Sequence, residues 1–322
     1  MNKSKYIIFF SFIVLFFVAC KKDNNKLYGI SIETNKMINS PAEVFSLQQI
    51  KIFMASNDFT LKGLPYLIND SSNLAFSPLF LTYTLAQDSS FDDYLEQYEK
   101  QYNLSLLNKN KRIQIFNSFL ASVKDIDSSI NIDSKIIENE DNRIRIQQSL
   151  DLNLNYDDIN VEEDKYSAKK YIIISDEFSV LDNSEQTMVD ILVGNGNYVL
   201  TLIQPNNVSL KEYIKTFNEE KYALLINKME NRKNSVLFPM IDMDMQEKTM
   251  NDINLAKFKY PKEVVLNCHF SIINQQQANS SFEQTLLKSN TSKPISFNKD
   301  FLFILRGKNS NLIMFIGYYS VD

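Results

Sequence analysis

The spacing of the apolar residues changes along this chain, and the change limits the fold to one that mixes helices with sheet. Before about residue 125 the apolar positions recur at the helical period: Val44, Leu47, Ile50, Phe53 and Met54, then Ile113, Ile115, Phe116, Phe119 and Leu120. From Lys169 onward they come in short β-rich runs: Tyr171–Ile174, Met188–Val193, Tyr198–Ile203, Val236–Met240, Val264–Ile273, Phe301–Leu305 and Leu312–Ile316. Helices gathered at one end and strands at the other predict an α+β fold.

Local signals place the element starts. Ser40-Pro41-Ala42-Glu43 supplies a hydroxyl cap, Pro at the first helical position and Glu at the third. Ser77-Pro78 opens a second helix with a buried body from Leu79 to Ala86. Ser90-Phe91-Asp92-Asp93 caps a third that runs to about Tyr102, and a fourth covers about Lys111–Val123. Gly194-Asn195-Gly196-Asn197 marks a hairpin, because Asn-Gly tolerates the positive φ of a tight turn. Ser209-Leu210-Lys211-Glu212 caps another helix, and Pro239 puts its strand at an edge or a bulge. Residues 125–165, rich in Asp, Asn and Glu, yield no assignment. No repeat and no Pro/Gly-rich linker divides the chain.

The first twenty residues stand apart. Lys3 and Lys5 precede the apolar run Ile7–Val18, too short and wrongly flanked for a membrane span, so residues 1–19 read as a secretory leader. Phe17-Val18-Ala19-Cys20 resembles a bacterial lipobox. That resemblance implies a lipid on Cys20 and a membrane anchor in the cell envelope, at the outer membrane or cell surface. Residues 20–39 then read as a polar tether and residues 40–322 as one folded domain. Losing the leader removes two lysines and no acids, which lowers the formal charge from −5 to −7. Cys268 becomes the only side-chain thiol beyond Cys20, so no internal disulfide is expected.

Composition excludes several functions. With 44% hydrophobic residues the chain can bury a large core, which rules out a disordered tail. Its 34 Lys and Arg against 39 Asp and Glu leave no basic excess for a nucleic-acid partner. His269 is the only histidine, so neither a multi-histidine metal site nor a spare imidazole for a triad is expected, and no cofactor is read. Six glycines leave little for a phosphate loop, and Gly194 and Gly196 lack the third glycine and following helix of a dinucleotide loop. Cys268 and His269 are strand neighbours whose side chains point to opposite faces, so Cys268 reads as a buried structural residue. Asp242 and Asp244 share a strand face and read as solvated, while Asp92-Asp93 suits a helix N-terminus. From the residues alone this is a binding or interaction protein, not an enzyme.

Several ordered stretches resemble the serpin family. Asn73-Leu74-Ala75-Phe76-Ser77-Pro78 is similar to its N-x-x-F-S-P helix opening. Thr187–Asn206 is similar to its central hairpin, and Leu237-Phe238-Pro239 to a later strand. Phe297-Asn298-Lys299-Asp300-Phe301-Leu302-Phe303-Ile304-Leu305-Arg306 followed by Leu312–Gly317 resembles the C-terminal signature F-[ND]-[RK]-P-F-L-F-x-I and the strand ending F-x-G. Asp300 stands where Pro is usual. The resemblance covers residues 41–322, with a shortened stretch between about 105 and 175. It implies a serpin-like α+β fold: N-terminal helices, antiparallel and mixed sheets, and an exposed reactive-centre-type loop.

The resemblance also implies a mechanism. A bait loop, here about residues 274–296, is cleaved by a target serine or cysteine protease and enters a sheet as a new strand. Its hinge would be Gln275, Gln276, Gln277, Ala278, Ser280, Ser281 and Phe282, with Gln277 in place of the family's Gly and Phe282 and Glu283 in place of small residues. The cleaved bond would lie at Leu287, Lys288, Ser289 or Asn290. Lys288 is an anchor for a trypsin-like pocket, or only an exposed cation. The positions controlling sheet opening correspond to Asn73, Ser77, Phe80 and Asn267, of which Phe80 replaces a Ser and Asn267 a His. Two readings stay open: a monomeric, lipid-anchored protease inhibitor, or a non-inhibitory binding or scaffold lipoprotein on the same fold.

Overall fold

Helical period and capping residues produce the expected N-terminal helices in the computed structural model, which describes residues 47–67, 73–104, 108–126, 129–154, 156, 159–163, 170–250, 260–273 and 294–321. The leader, Cys20, the tether, the Ser40 helix start, every hinge residue from Gln275 to Phe282 and the bond candidates Leu287–Asn290 lie outside the described residues. Helix α1 spans Leu47–Leu67, and strand β1 (Leu74–Phe76) leads into α2 (Pro78–Leu85). Ser77 caps α2 by accepting the Phe80 N–H on its hydroxyl, with Pro78 in the first turn. Helices α3 (Asp92–Gln101) and α4 (Lys109–Ile126) follow. The capping at α3 differs from expectation: no side chain caps the helix, and Asp88 instead caps a short 3-10 turn over Ser89–Phe91 before it by accepting the Ser90 N–H. Asp88 also meets Lys262 at 3.1 Å, which draws the turn toward the sheet.

The unassigned stretch holds two of the longest strands. Strands β2 (Ile130–Asn139) and β3 (Arg143–Asn153) pair antiparallel, and β4 (Ile159–Glu163) follows. Next come β5 (Lys170–Asp182), β6 (Gln186–Val193), β7 (Tyr198–Pro205), α5 (Leu210–Lys215), α6 (Glu219–Ile226), β8 (Glu230–Pro239) and β9 (Asp242–Thr249). The chain closes with β10 (Glu263–Ile273), β11 (Ile295–Ser296), β12 (Phe301–Gly307) and β13 (Ile313–Tyr319). The β6–β7 hairpin forms as read. Its left-handed residues are Gly194 (φ 63°) and Gly196 (φ 80°), so glycine supplies the turn and the asparagines do not.

These strands make two sheets. The larger has nine strands in the order β1-β13-β12-β7-β6-β5-β8-β11, with β4 also paired to β5. Its neighbours are antiparallel except β11, which lies parallel to β8. Every residue of β7 and β12 is buried, which explains their unbroken apolar runs. The smaller sheet has the order β2-β3-β10-β9, and its central pair, β3 and β10, runs parallel. The two sheets meet through aromatic rings: Phe270 of β10 stacks on Phe303 of β12 at 4.5 Å and lies 6.0 Å from Phe315 of β13. Helix α2 packs on β2, β3 and β13, and so sits under the small sheet.

Candidate functional site

The parallel β3–β10 pair is unusual in a molecule whose other long ladders are antiparallel. It runs in unbroken register for the whole length of β10, from Glu263 opposite Arg143 to Ile273 opposite Asn153. Alternation decides what each face carries. Ile144, Ile146, Leu150 and Leu152 of β3 and Val264, Leu266, Phe270 and Ile272 of β10 are buried in the core. Two inward positions break that apolar row at the same level, Gln148 and Cys268, which are partners across the seam.

Gln148 is fully buried, and a buried amide must find partners. Its Oε1 accepts the Ser77 N–H at 2.8 Å, and its Nε2 donates to the Ser77 carbonyl at 3.0 Å. The same Nε2 lies 3.4 Å from the Ser134 hydroxyl of β2, which in turn is 2.7 Å from Thr84 at the far end of α2. One side chain of β3 thereby clamps the start of α2 beneath the sheet. Sequence reasoning missed Gln148, because its partners lie about seventy residues earlier in the chain. Gln148→Leu is expected to cost about 1–3 kcal/mol in urea unfolding, since the Ser77 N–H would stay buried without a partner while the Ser77 carbonyl kept only its helical bond from the Leu81 N–H. A loss under about 0.5 kcal/mol would contradict the clamp.

Of the four shutter positions read from the sequence, Ser77 and Phe80 are bonded to each other at the start of α2, while Asn73 and Asn267 have partners elsewhere. Ser77 is in the clamp. Phe80 is fully buried and meets Phe116 of α4 edge-on at 5.2 Å, a core packing contact below the seam. Asn73 lies at the start of β1, where its Oδ1 accepts the Ser320 N–H near the C-terminus. Asn267 is on the outer face of β10, and its Oδ1 accepts the Glu247 N–H, holding a β9 residue at φ 52°. The residue that faces Gln148 from β10 is therefore Cys268, one position from the residue expected. Its thiol is pushed up by burial and then by Asp244, and it donates to the His269 carbonyl at 3.7 Å. His269 points to the opposite face, toward Asp244 and Asp151.

The signature residues of the C-terminal strands have local explanations. Asp300 accepts the Ser320 hydroxyl and the Val321 N–H on one carboxylate oxygen, so it fastens the end of the chain where Pro is usual. Arg306 is buried against Asp190 of β6, with Thr201 of β7 donating its hydroxyl to the same carboxylate at 2.6 Å. Burial pushes the Asp190 carboxyl up, while the adjacent Arg306 pulls it toward the charged form. Among the described residues no three His, Cys, Asp or Glu side chains are grouped to hold a metal ion, and no helix is long and apolar enough to cross a membrane.

No protein-family model and no curated protein matches the chain. Solved structures do. SRPN18 from Anopheles gambiae aligns at TM-score 0.61 and 10% identity, over 84% of this chain and 98% of that one. Maspin aligns at 0.62 and 11% identity, over 85% and 100%. A tumour suppressing serpin aligns at 0.60 and 11% identity, over 84% and 99%. The alignment extends over nearly the whole of each of these structures. The chain has the serpin fold.

Proposed function

We propose that the protein is a bait-loop protein of the protease-inhibitor kind, held in the cell envelope by a lipid on Cys20. On this reading residues 1–19 are removed, 20–39 form a tether and 40–322 form the working domain, a monomer whose target is a serine or cysteine protease. The observation that carries the reading is the uninterrupted parallel β3–β10 pair, with β10 continuing in sequence into residues 274–293. A segment that turns back after Ile273 runs antiparallel to β10 and hence to β3. Parallel strands with a common direction are the one arrangement in which such a segment gains antiparallel partners on both sides. Insertion would widen the gap between the two strands from about 4.8 Å to about twice that.

The proposed sequence of events is short. A protease nucleophile attacks the carbonyl of a bond between Leu287 and Asn290, forming an acyl link and releasing the new amino terminus. Entry of residues 275–286 into the seam then competes with water for that acyl link. Gln277 lacks the dihedral freedom of glycine, and Phe282 and Glu283 are large, so entry is slow and most encounters end in simple cleavage. Mixing the mature protein with trypsin-like and elastase-like proteases is expected to give a minor denaturant-stable complex. Gln277→Gly with Phe282→Ala and Glu283→Ala should raise the trapped fraction. No complex and no lost protease activity with either form would reject the inhibitor reading in favour of a scaffold role.

A further inference from the structure

The outer face of the small sheet is stitched across its strands by polar side chains. Near the end where β10 stops, Asp151 of β3 accepts the Ser271 hydroxyl of β10 at 2.6 Å and lies 3.4 Å from His269 Nε2, also on β10. Its second oxygen accepts from Asn131 of β2 at 3.3 Å. His269 Nδ1 lies 2.9 Å from Asp244 of β9. These contacts form one chain across all four strands. At the opposite end Arg143 pairs with Glu263 across the same seam at 3.0 Å. Arg145 pairs with Glu138 on β2 and reaches over β10 to Glu247 on β9.

These contacts differ in strength. The arginine pairs that reach from β3 to β10 and β9 at the far end have exposed partners, and such pairs contribute little. Asp151 is less exposed and receives a short hydrogen bond to a charged oxygen, the stronger kind. It is also two residues from the last paired position, Asn153 opposite Ile273. Parting β3 from β10 from this end must break its hydrogen bond to Ser271 and its contact with His269 within two residues of the last pair. The opposite face at the same end offers only apolar side chains, Leu150 and Leu152 against Phe270 and Ile272, and these slide without a directional bond to break.

We infer that Asp151 is a latch: a positioning residue that, through Ser271 and His269, sets how readily the β3–β10 seam opens. Its use rests on the strand-insertion reading, but its existence does not. Amide hydrogen exchange on the mature protein tests it directly. Ser271→Ala removes the seam-crossing hydrogen bond with no change in charge, and Asp151→Ala removes that bond together with the His269 contact. Each should speed exchange of the amides of residues 263–273 by about tenfold or more, while β12 and β13 exchange as in the wild type. Unchanged exchange at the seam, or equal acceleration in β12 and β13, would overturn the latch. A synthetic peptide copying residues 275–286, added to the same samples and followed by native gel shift, separates the two claims. Faster exchange with no peptide uptake by any form supports the latch and rejects strand insertion; faster exchange with faster uptake supports both.

Discussion

Gly317→Ala is expected to cost about 4 kcal/mol or more, enough to leave much of the chain unfolded. Strand β13 lies between β1 and β12, and Gly317 faces Ala75 on one side and Phe303 on the other. A Cβ there would overlap the Leu74 carbonyl oxygen and the tip of the Phe303 ring, and would sit 2.9 Å from Ala75 Cα. Two of those obstacles are backbone in a paired strand, which cannot yield without breaking the ladder. Gly196 provides the control. It has a φ of 80° but open space around its Cβ position, so Gly196→Ala should cost only about 1–2 kcal/mol of left-handed strain. Urea unfolding of the two variants decides the matter. Equal losses would mean that the close approach at Gly317 is not what requires glycine in this strand.

The second large effect concerns the buried charge pair between the hairpin and the C-terminal strands. Arg306 is almost fully buried, and besides Asp190 it donates to Asn311 at 2.7 Å and to the Thr201 hydroxyl at 3.3 Å. Asp190→Ala removes the only formal countercharge placed on it among the described residues. Breaking one side of a buried pair costs about 3–5 kcal/mol, because the remaining charge keeps its desolvation penalty. Asp190→Leu with Arg306→Met should recover most of that loss, since the pair's attraction largely offsets its own burial. Urea midpoints for the single and double variants test this. A single-variant loss below about 1 kcal/mol would show that the guanidinium reaches water.

Much of the fold was legible because its signals are local. Ser77-Pro78, the glycines at 194 and 196, and the apolar runs of β7, β12 and β13 each state their conformation within a few residues. Strands β2 and β3 escaped because their outer faces are mostly polar. Outward Asn131, Asp133, Lys135, Arg145 and Asp151 make the stretch look like a polar loop. Within β3 the inward row is further interrupted by Gln148, whose partners come from Ser77. The site was read less well for a sharper reason. In a strand, neighbouring residues take opposite faces, so Asn267, the position read from the motif, lies on the outer face while the next residue, Cys268, faces Gln148 in the core. Asn73 and Asp300, both read as motif positions, fasten the chain end near Ser320. The outer-face chain through Asp151 required tertiary register that spacing alone does not supply.

Thermal unfolding before and after a single cut in residues 274–293 tests the central claim most directly. Trypsin-like cleavage at Lys288, with both fragments retained, leaves the composition unchanged and frees one end of the segment. If that segment enters between β3 and β10, it gains ladder hydrogen bonds on both sides. At about 1 kcal/mol for each net bond, several such bonds should raise the midpoint by about ten degrees or more. A midpoint that stays the same or falls would contradict strand insertion and leave a fixed serpin-fold scaffold.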